Sequence, residues 1–264
     1  FTLKHPGAVL RQVEQYGVDF RNVFGQTPLM IASRMGNAEL IEELLDRDAD
    51  TALVDANGLN AFQIALERAC ADERFARVKL PGVYERLAPP SQDIQVDGRL
   101  VKLDRRLMEY LLLCIAIVHF YQRLGENYAQ RRGLMSATDI EDILSHFPES
   151  VVPARRKKRT YISSILSKNE IDRDDPYNRK LFLRWRRGEY TINPQLSLRI
   201  EGDWRKIYDT LSPQRLGARI RDTEQWGAYF YDPNTRAEQA LDGLRRNLEA
   251  LSEGCSIREL SPRG

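Results

Sequence analysis

Residues 25–50 read Gly25-Gln26-Thr27-Pro28-Leu29-Met30-Ile31-Ala32-Ser33-Arg34-Met35-Gly36-Asn37-Ala38-Glu39-Leu40-Ile41-Glu42-Glu43-Leu44-Leu45-Asp46-Arg47-Asp48-Ala49-Asp50. The register starts again 33 residues on: Gly58 follows Gly25, Phe62 follows Leu29 and Ala65 follows Ala32. Self-similarity at a fixed period of this size marks stacked units that bury one another's apolar faces.

The stretch resembles an ankyrin repeat. Such a repeat has a turn, then Thr27-Pro28-Leu29 opening a short helix, then a second helix ending in a Gly-Ala-Asp-like loop, here Asp48-Ala49-Asp50. In the second unit Asn60-Ala61 replaces Thr-Pro, and the second helix cannot be followed beyond Ala69. Upstream, residues 6–24 resemble the tail of an earlier unit. Val9, Leu10 and Val13 share a helical face there, and Gly17-Val18-Asp19 stands for the loop. One full unit, one decayed unit and one half unit need a cap, expected from the segment up to about Leu87. The resemblance implies a protein-binding face without chemistry of its own, lined by Gln26, Met30, Arg34, Met35, Asn57, Leu59 and Gln63. Met30 and Met35, if exposed, suit an adaptable contact. The alternative has these residues packed against the helical segment that follows.

The chain has 264 residues, a formal net charge of +2 and 30% charged residues. Its three cysteines, Cys70, Cys114 and Cys255, are far apart and odd in number. That pattern predicts no disulfide framework and a reducing, cytoplasmic setting. The longest apolar run, residues 110–118 between Glu109 and His119, is far short of the ~20 residues a membrane span needs. No signal peptide is read, and a first residue of Phe1 suggests a piece of something longer.

Ala88-Pro89-Pro90-Ser91 breaks the chain after the repeats. Residues 94–103 read as a β-hairpin, because Asp97-Gly98 between alternating residues favours a two-residue type I′ turn. Asp104 is placed to cap a helix over residues 105–127, apolar nearly all round and therefore a central core helix rather than a dimer seam. Ser136 or Thr138, the latter with Glu141 three residues on, opens another helix through His146. The basic run Arg155-Arg156-Lys157-Lys158-Arg159 leads into a helix over residues 160–168 with Ile162, Ile165 and Leu166 on one side. Residues 181–192 read as a second hairpin, turning at Arg186-Arg187-Gly188. From Asp203 the remainder is expected to be mostly helical, with an amphipathic helix over residues 235–251.

This order of helix, loop, helix with a basic flank, and arginine-tipped hairpin resembles a winged helix-turn-helix over residues 135–193. The stretch Gly188-Glu189-Tyr190-Thr191-Ile192-Asn193-Pro194 is similar to the second wing strand of such domains in bacterial regulatory and restriction-associated proteins. The resemblance implies one helix in the major groove and the wing on the backbone or minor groove. The candidate nucleic-acid residues are Arg155, Arg156, Lys157, Lys158, Arg159, Thr160, Ser164, Lys168, Arg184, Arg186 and Arg187. Ser and Thr read either base edges or phosphates, so weak sequence specificity on duplex is expected. Residues 151–187 carry twelve Lys/Arg against four Asp/Glu, the asymmetry a phosphate-binding patch needs. The alternative is a solvated face paired with Asp172, Asp174 and Asp175. Trp185 and Tyr190 flank the turn and read first as core, second as stacking groups.

Little points to catalysis. His5, His119 and His146 lie near no cysteine and lack metal-ligand spacing, and no Gly-rich phosphate loop exists. Asp139, Glu141 and Asp142 suit a helix start rather than a metal. The chain is therefore read as mainly α and non-catalytic, with no cofactor and no metal. Residues 1–87 would be ankyrin-like repeats with a helical cap. Residues 88–134 would hold the hairpin and central helix, 135–212 the winged-helix-like basic domain, and 213–264 a helical tail. The role expected is a binding or regulatory scaffold that contacts a protein through its repeats and nucleic acid through its basic wing. The alternative is an adaptor that binds protein alone.

Overall fold

The structure, a computed structural model, describes residues 6–56, 58–126 and 134–210. The helix read at residues 235–251, with the tail, Asn57 and Cys255, lies outside the described residues.

Helix α1 (Pro6–Tyr16) buries Val9 and Val13. Helix α2 (Pro28–Met35) starts on a reciprocal cap: Thr27 Oγ1 accepts from the Met30 amide, and the Thr27 amide donates to Met30 Sδ, both at 3.4 Å. Pro28 follows, where its missing N–H costs no hydrogen bond. Gly36 ends the helix at φ 65°. A Cβ there would lie 2.6 Å from Lys79 Cβ and 2.7 Å from Phe75 Cε2, so both backbone and packing require glycine. Helix α3 (Ala38–Asp46) is capped by Asn37 and buries Leu40, Ile41 and Leu44. One period after Thr27 and Met30, Asn60 and Gln63 cap α4 (Ala61–Ala71): Asn60 Oδ1 accepts from the Gln63 amide at 2.9 Å, and Gln63 Oε1 from the Asn60 amide at 3.0 Å. The atypical Asn60-Ala61 thus conserves the mechanics of Thr-Pro. Two short helices then close the array, α5 (Glu73–Val78) and α6 (Leu80–Leu87), broken apart before Pro81. Helix α6 packs on α3, α4 and α5.

Strands β1 (Ser91–Val96) and β2 (Arg99–Asp104) form the expected hairpin, with Asp97 at φ 49° and Gly98 at φ 71° as a type I′ turn demands. Asp104 does not cap the next helix. Its carboxylate accepts from the Arg106 amide at 2.8 Å within a turn, and α7 starts later (Met108–Glu126). Every side chain from Tyr110 to His119 is buried. Helix α7 packs against α4, where Phe62 and Tyr110 stack with centroids 6.4 Å apart.

Beyond α7 come β3 (Met135–Ser136), α8 (Ala137–Ser145), α9 (Ala154–Lys157) and α10 (Arg159–Lys168). Then follow β4 (Phe182–Arg186) and β5 (Glu189–Ile192). The cap of α8 is Ser136 with Asp139, not Thr138 with Glu141. These strands form an antiparallel sheet in the order β3-β5-β4, with a bulge at Trp185. The helical expectation from Asp203 is corrected by a third hairpin, β6 (Ser197–Ile200) and β7 (Asp203–Lys206), turning at Glu201 (φ 50°) and Gly202 (φ 95°). Leu198 and Ile200 point inward, which holds this segment extended on the core. Strand β6 pairs with β1, giving a four-stranded sheet β2-β1-β6-β7 that joins segments on both sides of residue 134.

Leu44 is fully buried. Leu44→Ala should therefore lower the unfolding free energy by about 2–5 kcal/mol in urea titrations followed by circular dichroism.

Candidate protein and nucleic-acid interaction surfaces

The repeat face differs from its sequence expectation. Met30 is 1% exposed and Leu59 2%, and Gln26 and Gln63 are buried as well. The expected presentation of Met30 is corrected: its sulfur closes the cap of α2 and its side chain lies in the core. Gln63 is held by the equivalent cap of α4. Arg34 is exposed and Met35 half-buried. The chain's own sheet occupies the loop side of the repeats. Arg21 donates to Val54 O at 2.6 Å and pairs with Glu201 at 2.5 Å, bridging a repeat loop to the β6–β7 turn. Asn60 and Gln63 share a cleft of about 170 Å³ with Leu198 and Ile200. What the sequence reading missed is the pair Val23 and Phe24, 93% and 64% exposed, on the loop before α2. Two large apolar residues where a turn calls for polar ones were the signal.

The basic residues divide into tethered and free. Arg156 Nη1 donates to Arg106 O at 2.6 Å, and Lys157 Nζ donates to Phe147 O. Arg184 is half-buried and tethered: it pairs with Glu170 at 2.8 Å, donates to Tyr190 Oη at 3.0 Å and to Ser167 Oγ at 3.3 Å, and lies 5.4 Å from the Tyr190 ring centroid. Arg186 forks onto Glu189 at 2.7 and 2.8 Å, which raises the guanidinium's pKa. Arg155, Lys158, Arg159 and Arg187 have exposed side chains. The Arg159 amide, not its side chain, donates to Glu141 at 2.9 Å. Thr160, Ser164 and Lys168 are exposed at helical spacing on α10, opposite buried Ile162 and Leu166. Arg184 touching Ser167, and the Phe182 amide donating to Asn169 O, make β4 retrace the last turn of α10. Tyr190 is a core residue and Trp185 half-buried at the bulge.

Of the carboxylates singled out, Asp139 caps α8, Glu141 accepts from the Arg159 amide and Asp175 from the Tyr177 amide. His119 is buried within α7. Among the described residues no group of three His, Cys, Asp or Glu is arranged to hold a metal ion, and no helix is long and apolar enough to cross a membrane. Cys70 and Cys114 are free thiols, and burial pushes Cys114 up to about 12.

Residues 3–73 match a family model of ankyrin repeats, in three copies. The N-terminal part of the chain is thus an ankyrin-repeat array, and the match ends where α5 begins. Such arrays are protein-interaction surfaces built by stacking. No curated protein matches the chain.

The tethered and free arginines should separate in a stability measurement. Arg184→Gln leaves Glu170, whose side chain is 12% exposed, without its counter-charge and should cost about 1–3 kcal/mol. Arg187→Ala, at the exposed tip, should stay within about 0.5 kcal/mol of the parent in the same melts.

Proposed function

We propose that this chain is a non-catalytic scaffold with two binding activities. Its ankyrin array engages a protein, and residues 135–193, acting with α7 as a winged-helix-like module, hold a nucleic-acid duplex. The array match supports the first activity. The surface left for the partner comprises Arg34, Met35 and the Val23–Phe24 loop, since Met30 and Leu59 are buried.

The second activity rests on one observation. Arg155, Lys158, Arg159 and Arg187 are exposed, with no carboxylate among the described residues paired to their side chains, while neighbouring cations are tied down. The order of elements supports it: α7, β3, α8, the single-turn α9, α10, then a hairpin whose second strand pairs with β3. In this reading α10 turns Thr160, Ser164 and Lys168 to the groove. The cations before it and Arg187 at the hairpin tip grip phosphates. No planar side-chain amide stands among the groove-facing residues named, so recognition is of backbone rather than base. A cytoplasmic location, where Cys70 and Cys114 stay reduced, completes the proposal.

A salt series tests it. Anisotropy titrations of an arbitrary labelled duplex should give an affinity that falls steeply with salt and varies little with sequence. Arg187→Ala should weaken all sequences alike and flatten the log–log slope by about one unit. Combining it with Lys158→Ala and Arg159→Ala should remove binding. If the intact chain at low salt binds neither DNA nor RNA, the nucleic-acid activity is wrong and the protein adaptor remains.

A further inference from the structure

A cleft of about 620 Å³ opens where the repeat cap meets the rest of the chain. Pro81, Tyr84 and Glu85 of α6 form one wall, Arg105 and Arg106 from the turn before α7 another, and Val151, Pro153 and Arg156 the third. Three separate segments thus wall one concavity, and two of them bring three guanidinium groups to it.

Their partners differ. Arg106 is committed to Asp104, which it forks at 2.9 and 2.7 Å. Arg105 donates through Nη1 to Ala88 O at 3.1 Å, and Arg156 through Nη1 to Arg106 O at 2.6 Å. Each of these two is positioned by a main-chain carbonyl through one nitrogen, and no carboxylate among the described residues pairs with either. A guanidinium has five N–H donors, so both keep most of theirs for a ligand. Tyr84 lines the same cleft. Burial first, then the neighbouring Cys114, pushes its phenol up to about 12, against the opposing pull of Arg105 and Arg156. The hydroxyl stays protonated at neutral pH and available to donate. Glu85 is exposed at the rim and disfavours a second negative charge there.

We infer that this cleft binds a nucleotide, its phosphate held by Arg105 and Arg156 and its flat ring lying against Tyr84, Pro81, Val151 and Pro153. Forked guanidinium groups match phosphate oxygens. A bare anion would leave the apolar walls uncovered, whereas a cleft of this volume falls in the range of sites for small organic ligands. Arg156 belongs to the basic run, so the nucleotide is either free or the phosphorylated end of a strand that continues along Arg155–Arg159. The inference stands apart from duplex binding by the hairpin, because Arg105 and Tyr84 lie in neither the run nor the wing.

Titration calorimetry on the whole chain tests it with five probes: adenosine 5′-monophosphate, adenosine, inorganic phosphate, and a single-stranded hexanucleotide with a 5′-phosphate or a 5′-hydroxyl. Tighter binding of the monophosphate than of adenosine or phosphate supports a free nucleotide. Binding of the phosphorylated hexamer alone supports a strand end. Arg105→Gln should then weaken binding about tenfold, and Tyr84→Phe, which keeps the ring in place, about fivefold. Arg99→Ala, exposed at the β1–β2 turn away from the cleft, should leave it unchanged. Equal affinity for adenosine or for inorganic phosphate alone overturns the inference. So does affinity untouched by Tyr84→Phe and Arg105→Gln in variants whose melting matches the parent, or the absence of saturable heat with every probe.

Discussion

The packing of α7 against α4 is the contact on which the rest of the chain depends. An ankyrin array of three units is too short to bury its own last face, because each unit relies on a neighbour. Phe62, one period after Leu29, would be exposed at the open end; instead it stacks on Tyr110 and meets Tyr84 edge-on with centroids 5.6 Å apart. Fully burying a side chain of this size contributes about 1.5–3 kcal/mol, so helix and array are stabilised together. On its other sides α7 touches β2, β5 and α10. That explains its apolar character all round and makes one continuous core from Val9 to Ile207.

The same constraint limits what the repeats offer to other molecules. Arg21 and Val54 are tied to the β6–β7 hairpin, and a Cβ at Gly58 would lie 3.1 Å from Thr210 O. The turns that a longer array would hold out to a partner are used within the chain. What remains is the edge nearer α1, where Val23 and Phe24 project, and the exposed Arg34.

Local features were legible in the sequence wherever a turn dipeptide, a repeat period or an unbroken apolar run decides the geometry. The 33-residue period, the Asp97-Gly98 turn and the apolar run of α7 are of this kind. Contacts between distant segments were not. Met30 lies at a position that the repeat pattern turns toward a surface, and only the local cap and the elements packed over it reveal its burial. The β6–β7 hairpin was hidden because its strands have four residues each, its turn is Glu201-Gly202 rather than Asn-Gly or Asp-Gly, and β7 is exposed throughout. The basic run was visible as charge. Which of its members are free was not, since the carbonyls that tether Arg156 and Lys157 come from residues 106 and 147.

That sorting bears on how a charged surface acts. Summing the charge of residues 151–187 treats every cation alike, yet Arg184 and Arg186 are neutralised by Glu170 and Glu189. Arg156 and Lys157 keep their charge and fix the main chain on which Arg155, Lys158 and Arg159 stand. Binding a phosphate costs side-chain and backbone ordering, and a run anchored at its centre has already lost the backbone part. Glu141 accepting the Arg159 amide adds a third anchor at the start of α10. The free cations therefore project from a held backbone, in a fixed relation to the outer face of α10. A flexible loop of equal charge would attract the same ligands without aligning them.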